Sequence, residues 1–85
     1  MKFYIKHSMT GRLRVHMDMK HMSFKQADIL EYYIKNIETV TSAKVYEKTC
    51  DAVIEFKGDK TKIINELKRF TYSQVAVPED VLSLP

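Results

Sequence analysis

The first seventeen residues alternate. From Met1 to Met17 the odd positions read Met, Phe, Ile, His, Met, Gly, Leu, Val and Met, and the even positions read Lys, Tyr, Lys, Ser, Thr, Arg, Arg and His. Only an extended backbone sends successive side chains to opposite faces. A period of two held this long therefore predicts a strand, bent at Gly11, with its odd face in the core and its even face towards water or a partner.

The pattern then changes. Ser23 and Gln26 stand at capping-box spacing, and Ala27, Leu30, Ile34 and Ile37 recur at three- and four-residue intervals, which predicts a first helix over 24–37. Two short runs rich in valine, isoleucine and aromatics, 43–48 and 52–57, are separated by Thr49, Cys50 and Asp51 and read as a β-hairpin. Gly58 and Asp59 supply a turn and a helix N-cap, after which Ile63, Ile64, Leu67 and Phe70 form a second apolar stripe ending near Tyr72. Val75 to Val77 can add a last short strand before Pro78, and 78–85 has no periodicity and reads as a linker or the start of a following segment.

The order strand, helix, strand, strand, helix, strand predicts an α+β fold over 1–77. It is a ferredoxin-like βαββαβ sandwich, an antiparallel four-stranded sheet with both helices on one face. The expected core is Phe3, Ile5, Leu13, Val15, Leu30, Ile34, Val45, Ile54, Phe56, Ile63, Leu67 and Phe70.

Composition bounds the function. At 85 residues there is room for one core, and 45% hydrophobic with 29% charged residues excludes the low-hydrophobicity composition of disorder. A single cysteine, Cys50, excludes a disulfide framework and a paired-thiolate zinc site, so stability must come from packing. No apolar run approaches the roughly 18–20 residues of a membrane span, and the start lacks a signal-peptide stretch, so the expected location is cytosolic. Two glycines cannot build a Gly-rich phosphate loop. No serine or cysteine nucleophile lies beside a histidine in a recognisable elbow, and no paired carboxylates mark a cleft, so the chain reads as non-catalytic.

The net charge of +3 is local in origin: residues 1–25 hold six basic residues against Asp18 alone. Arg12, Arg14 and His16, continued by Lys6 and Lys2, share the even face of the first strand. Alternate residues on one strand face stand about 6–7 Å apart, so two guanidinium groups can grip one anionic group, and Arg12, Arg14, Lys6 and His16 become the candidate partner-binding residues. The other reading is a solvated charged face. Tyr4 and Tyr46 on the same side would suit single-stranded RNA, but Glu55 stands where a stacking aromatic is wanted, which makes nucleic acid the lesser alternative.

The run from His16 to Met22 concentrates soft and borderline ligands. His16, Met17, Met19 and His21, with His7, are the metal candidates, in a pattern that suits Cu(I). The competing and preferred reading ends the buried strand face at Met17 and uses Met22 as a hydrophobic staple, with the histidines solvated. Cys50, in the hairpin turn, is expected to lie away from this segment.

The strand order, with His7, Gly11, Arg12 and Arg14 in a His-x-x-x-Gly-Arg-x-Arg run and with the later stretch from Ile37 to Tyr46, resembles the heavy-metal-associated domain superfamily. The likeness spans about Phe3 to Val77. It is closest to the cysteine-less N-terminal domains of bacterial heavy-metal-transporting P-type ATPases. The resemblance implies a non-catalytic cytosolic regulatory or docking domain of a membrane transporter, with iron as the leading cargo. Its implied partner is the remainder of that ATPase or another acidic protein surface. The Cys-x-x-Cys loop of metallochaperone-like members is missing, so no cofactor is expected in the domain itself, and a metal ion belongs to the implied parent.

Overall fold

The computed structural model describes residues 1–74; the expected strand at Val75–Val77 and the segment 78–85 lie outside the described residues. The elements are β1 (Phe3–Met9), β2 (Arg12–Met17), α1 (Phe24–Lys35), β3 (Val40–Tyr46), β4 (Asp51–Phe56), α2 (Thr61–Arg69) and a 3-10 turn at Tyr72–Gln74. The four strands make one antiparallel sheet in the order β1-β2-β4-β3. With two helices packed on one side, the fold is α+β and ferredoxin-like.

The alternating segment is extended as expected but folds back on itself. Gly11 adopts φ +77°, a left-handed conformation that strains residues carrying a Cβ, and Met9 pairs with Arg12 across the turn. What reads as one bent strand is therefore a hairpin, and β1 takes an edge of the sheet beside β2. The Gly11 carbonyl accepts from the Phe56 amide at 3.0 Å, which ties the turn to the end of β4.

A β-bulge at Lys6 interrupts the β1–β2 register between Ile5 and His7. One extra residue reverses side-chain parity beyond it. Phe3 and Ile5 pair with Met17 and Val15 on the core side, whereas His7 and Met9 pair with Arg14 and Arg12 on the other. His7, expected inward, is exposed.

Leu13, Val15 and Met17 from β2, Ala43 and Val45 from β3, and Ala52, Ile54 and Phe56 from β4 meet Ala27, Leu30 and Ile34 of α1 and Ile63 and Leu67 of α2 in one buried cluster with Phe70. Ten of the twelve expected core residues are buried; Phe3 is half-buried and Ile5 is 41% exposed. The reason is position. Ile5 lies on an edge strand, and with Phe3 and Ile64 it lines an open groove of about 800 Å³ rather than closed core.

The α1 signal holds, whereas the N-cap of α2 is Lys60, without a side-chain cap hydrogen bond, and not Asp59 as expected, because Asp59 lies one residue before the cap. Ser23 caps α1 in a full capping box with Gln26: the Gln26 amide donates to Ser23 Oγ at 3.0 Å, and the Ser23 amide donates to Gln26 Oε1 at 2.9 Å. Asp59 Oδ1 accepts from the Thr61 amide at 2.9 Å at the start of α2. The terminal ammonium of Met1 donates to the carbonyls of Lys68 (2.9 Å) and Phe70 (3.1 Å), placing a positive charge at the C-terminal end of α2, where the helix dipole favours one. Tyr33 Oη reaches from α1 to Glu66 Oε2 of α2 at 2.8 Å.

Candidate functional site

With both helices on one side, the other face of the sheet is open, and the strand registers dictate its layout. Across β1, β2, β4 and β3 the first row is Tyr4, His16, Asp51 and Tyr46; the second is His7, Arg14, Val53 and Lys44; the third is Met9, Arg12, Glu55 and Ser42. Four cations, Lys6, Arg12, Arg14 and Lys44, thus share the face with two carboxylates. Tyr4, Met9 and Tyr46 are exposed there at 57%, 54% and 44%.

Asp51 is the focus of this face and has no exposed surface. Its Oδ2 accepts from Lys6 Nζ (3.0 Å), Arg14 Nη2 (2.9 Å) and Arg14 Nε (3.2 Å), and its Oδ1 lies 2.7 Å from His16 Nδ1. Burial alone would raise its pKa. The hydrogen bonds from His16, Lys6 and Arg14 outweigh that and hold it at about 2. An ionised carboxylate only accepts, so His16 Nδ1 carries the shared proton and the imidazole is held in one orientation. The ring of Tyr4 packs against it, centroids 4.9 Å apart.

The hairpin between β3 and β4 delivers Asp51. Cys50 takes φ +59°, uncommon for a residue with a Cβ, and its buried side chain fills the core side of the turn while Asp51 starts β4 on the open side. Asp51 is therefore a strand residue, not part of the loop as its sequence position suggests. The Cys50 carbonyl accepts from the Met17 amide at 2.8 Å, so Cys50 sits beside the end of β2 and not away from the segment before α1, correcting that expectation. Burial, then the Asp51 charge, push the Cys50 thiol pKa up.

The candidate contact residues divide. Lys6, Arg14 and His16 are held by Asp51, whereas Arg12 makes no ion pair among the described residues, even with Glu55 directly opposite. The soft-ligand run separates too: His16 faces the open side, Met17 and Met22 enter the core, Met19 is half-buried with its sulfur 3.8 Å from Tyr72 Oη, and His21 is exposed. Among the described residues no group of three or more His, Cys, Asp or Glu side chains could hold a metal ion.

Asp51 is the residue that sequence reasoning missed. Its signal was parity: Ala52, Ile54 and Phe56 point inward, so Asp51, Val53 and Glu55 share the opposite face. Which cations it meets depends on strand register, which a single sequence does not display. Among the described residues, no helix is long and apolar enough to cross a membrane. Comparison with family models, curated proteins and solved structures finds no match for this chain.

Proposed function

We propose that this chain is a non-catalytic docking domain whose open sheet face engages an acidic surface of a protein partner. The observation that carries this reading is the cage around Asp51. A carboxylate with no exposed surface holds Lys6, Arg14 and His16 in place from beneath, and Lys6 and Arg14 remain about two-fifths exposed. Cations fixed before binding lose less side-chain entropy when they meet a carboxylate, and a cationic face steers an acidic partner into register. Exposed Tyr4, Met9 and Tyr46 add the apolar and aromatic contact area that interface centres use.

The resemblance set out above supplies the partner in this reading. It is the remainder of a metal-cation-transporting P-type ATPase, with iron the leading cargo and this domain on the cytoplasmic side of a membrane-embedded parent. Docked and free states would then favour different steps of transport. The test uses residues outside the cage, because Arg14 also serves the fold. Arg12→Glu with Lys44→Glu in the parent transporter is expected to change transport while the melting temperature of the 85-residue chain is unchanged. Normal transport with unchanged stability would sink the docking role.

The sheet is poorly arranged for RNA. RNA-binding sheets stack bases on closely spaced aromatics, whereas Tyr4 and Tyr46 occupy the two outer strands with Asp51 between them. A salt-dependent, saturable anisotropy change with single-stranded RNA would favour nucleic acid over a protein partner.

A further inference from the structure

One end of the open face carries a concave site that the Asp51 cage leaves unfilled. His7 and Met9 of β1, Arg12 and Arg14 of β2 and Val53 of β4 line a shallow cavity of about 440 Å³. Its walls hold two guanidinium groups and an imidazole and no carboxylate. The parity reversal at the Lys6 bulge is what brings His7 and Met9 to it; with unbroken alternation they would face the core side.

We infer that this cavity is an oxyanion seat whose ligand is a phosphate monoester dianion, gripped by Arg12 and Arg14 together. Arg14 spends Nε and Nη2 on Asp51, which orients its guanidinium and leaves Nη1 without a partner among the described residues. Arg12 makes no side-chain hydrogen bond or ion pair among the described residues, and neither does His7. The two arginines are alternate residues of one strand, with Cα atoms about 6–7 Å apart, so their long side chains can converge on one group between them.

Donor geometry selects the ligand. A carboxylate presents one two-oxygen edge, which a single guanidinium satisfies in a fork. A phosphate monoester has three terminal oxygens and close to two negative charges, so the Arg12 fork can take a two-oxygen edge while Arg14 Nη1 donates to the remaining oxygen. Met9 and Val53 provide apolar surface beside that charge, suited to the ester carbon rather than to a second anion.

The seat lies on the proposed docking face and does not depend on the docking reading, because it is tested on the isolated chain with small anions. Amide and arginine Nε–H shifts of the 85-residue chain are followed by NMR while inorganic phosphate, phenyl phosphate, acetate or chloride is added at matched ionic strength. The expected result is saturable shifts confined to His7, Met9, Arg12, Arg14 and Val53, in the millimolar range for phosphate and tighter for phenyl phosphate. Arg12→Ala should weaken binding at least tenfold with an unchanged melting temperature, and Arg12→Lys should restore only part of it. Phosphate shifts no larger than those of chloride would overturn the seat. Acetate binding as tightly as phosphate would overturn the choice of ligand, and full binding by Arg12→Ala would overturn the two-arginine grip. Phenyl phosphate no tighter than inorganic phosphate would overturn the monoester in favour of the free ion.

Discussion

An ionised aspartate with no exposed surface, held by two cations and an imidazole, couples the stability of this domain to acid pH. The Asp51 pKa is about 2 in the folded chain against an ordinary 3.8, so the folded state favours the charged form. That stabilisation is present in full above about pH 4 and is lost as the pH falls through about 2; it is on the order of 2 kcal/mol. Asp51→Asn leaves Lys6 and Arg14 without their counter-charge and is expected to cost about 2–3 kcal/mol at neutral pH, with the difference from the native chain shrinking towards pH 2. Denaturant melts across this range check it, and a difference independent of pH would contradict the cage. Gly11 is the second decisive residue. At φ +77°, where an added Cβ would lie 3.4 Å from the Phe56 carbonyl oxygen, Gly11→Ala is expected to cost about 1 kcal/mol or more, read as a lowered denaturation midpoint.

At the scale of elements, burial separates positions that look equivalent in sequence. Leu67 of α2 and Ile34 of α1 are fully buried, and replacing either with alanine is expected to cost about 2–5 kcal/mol. Ile5 of β1 has the same apolar character in an equally regular pattern but lies at an open edge, so Ile5→Ala should cost under about 1 kcal/mol. Equal losses for Ile5 and Leu67 would mean that β1 is covered as a core strand. The capping box makes its own contribution: Ser23→Ala removes the acceptor for the Gln26 amide and should cost about 1 kcal/mol, measured by the same unfolding curves.

The whole molecule has a rigid middle and two different edges. β2 and β4 are central, each bonded on both sides, while β1 and β3 have one sheet partner each among the described residues. Amide hydrogen exchange is therefore expected to be slowest in Leu13–Val15 and Ala52–Ile54 and faster along β1, above all at the bulge around Lys6. Exchange in β1 as slow as in β2 would show that its outer edge is covered. Of the cage residues, Arg14, His16 and Asp51 sit on the two central strands, while Lys6 reaches in from the bulge of the β1 edge.

Local periodicity carried much of the fold. The alternation over 1–17, the helical stripes through Leu30 and Ile34 and through Ile63 and Leu67, the Ser23–Gln26 cap and the hairpin runs are properties of neighbouring residues, and each appears in the structure at or near its expected place. Tertiary structure alone decided three further matters. Gly11 reverses the chain, because a period of two reports extension but not where an extended chain turns back. The Lys6 bulge carries His7 and Met9 to the open face, because parity is reset by pairing with β2. Asp51 is buried among Lys6, Arg14 and His16, because its partners lie thirty-five or more residues away and meet it only through the β1–β2 and β2–β4 pairings. Side-chain chemistry and spacing are written locally along the chain; which charges meet is set by the pairing of distant strands.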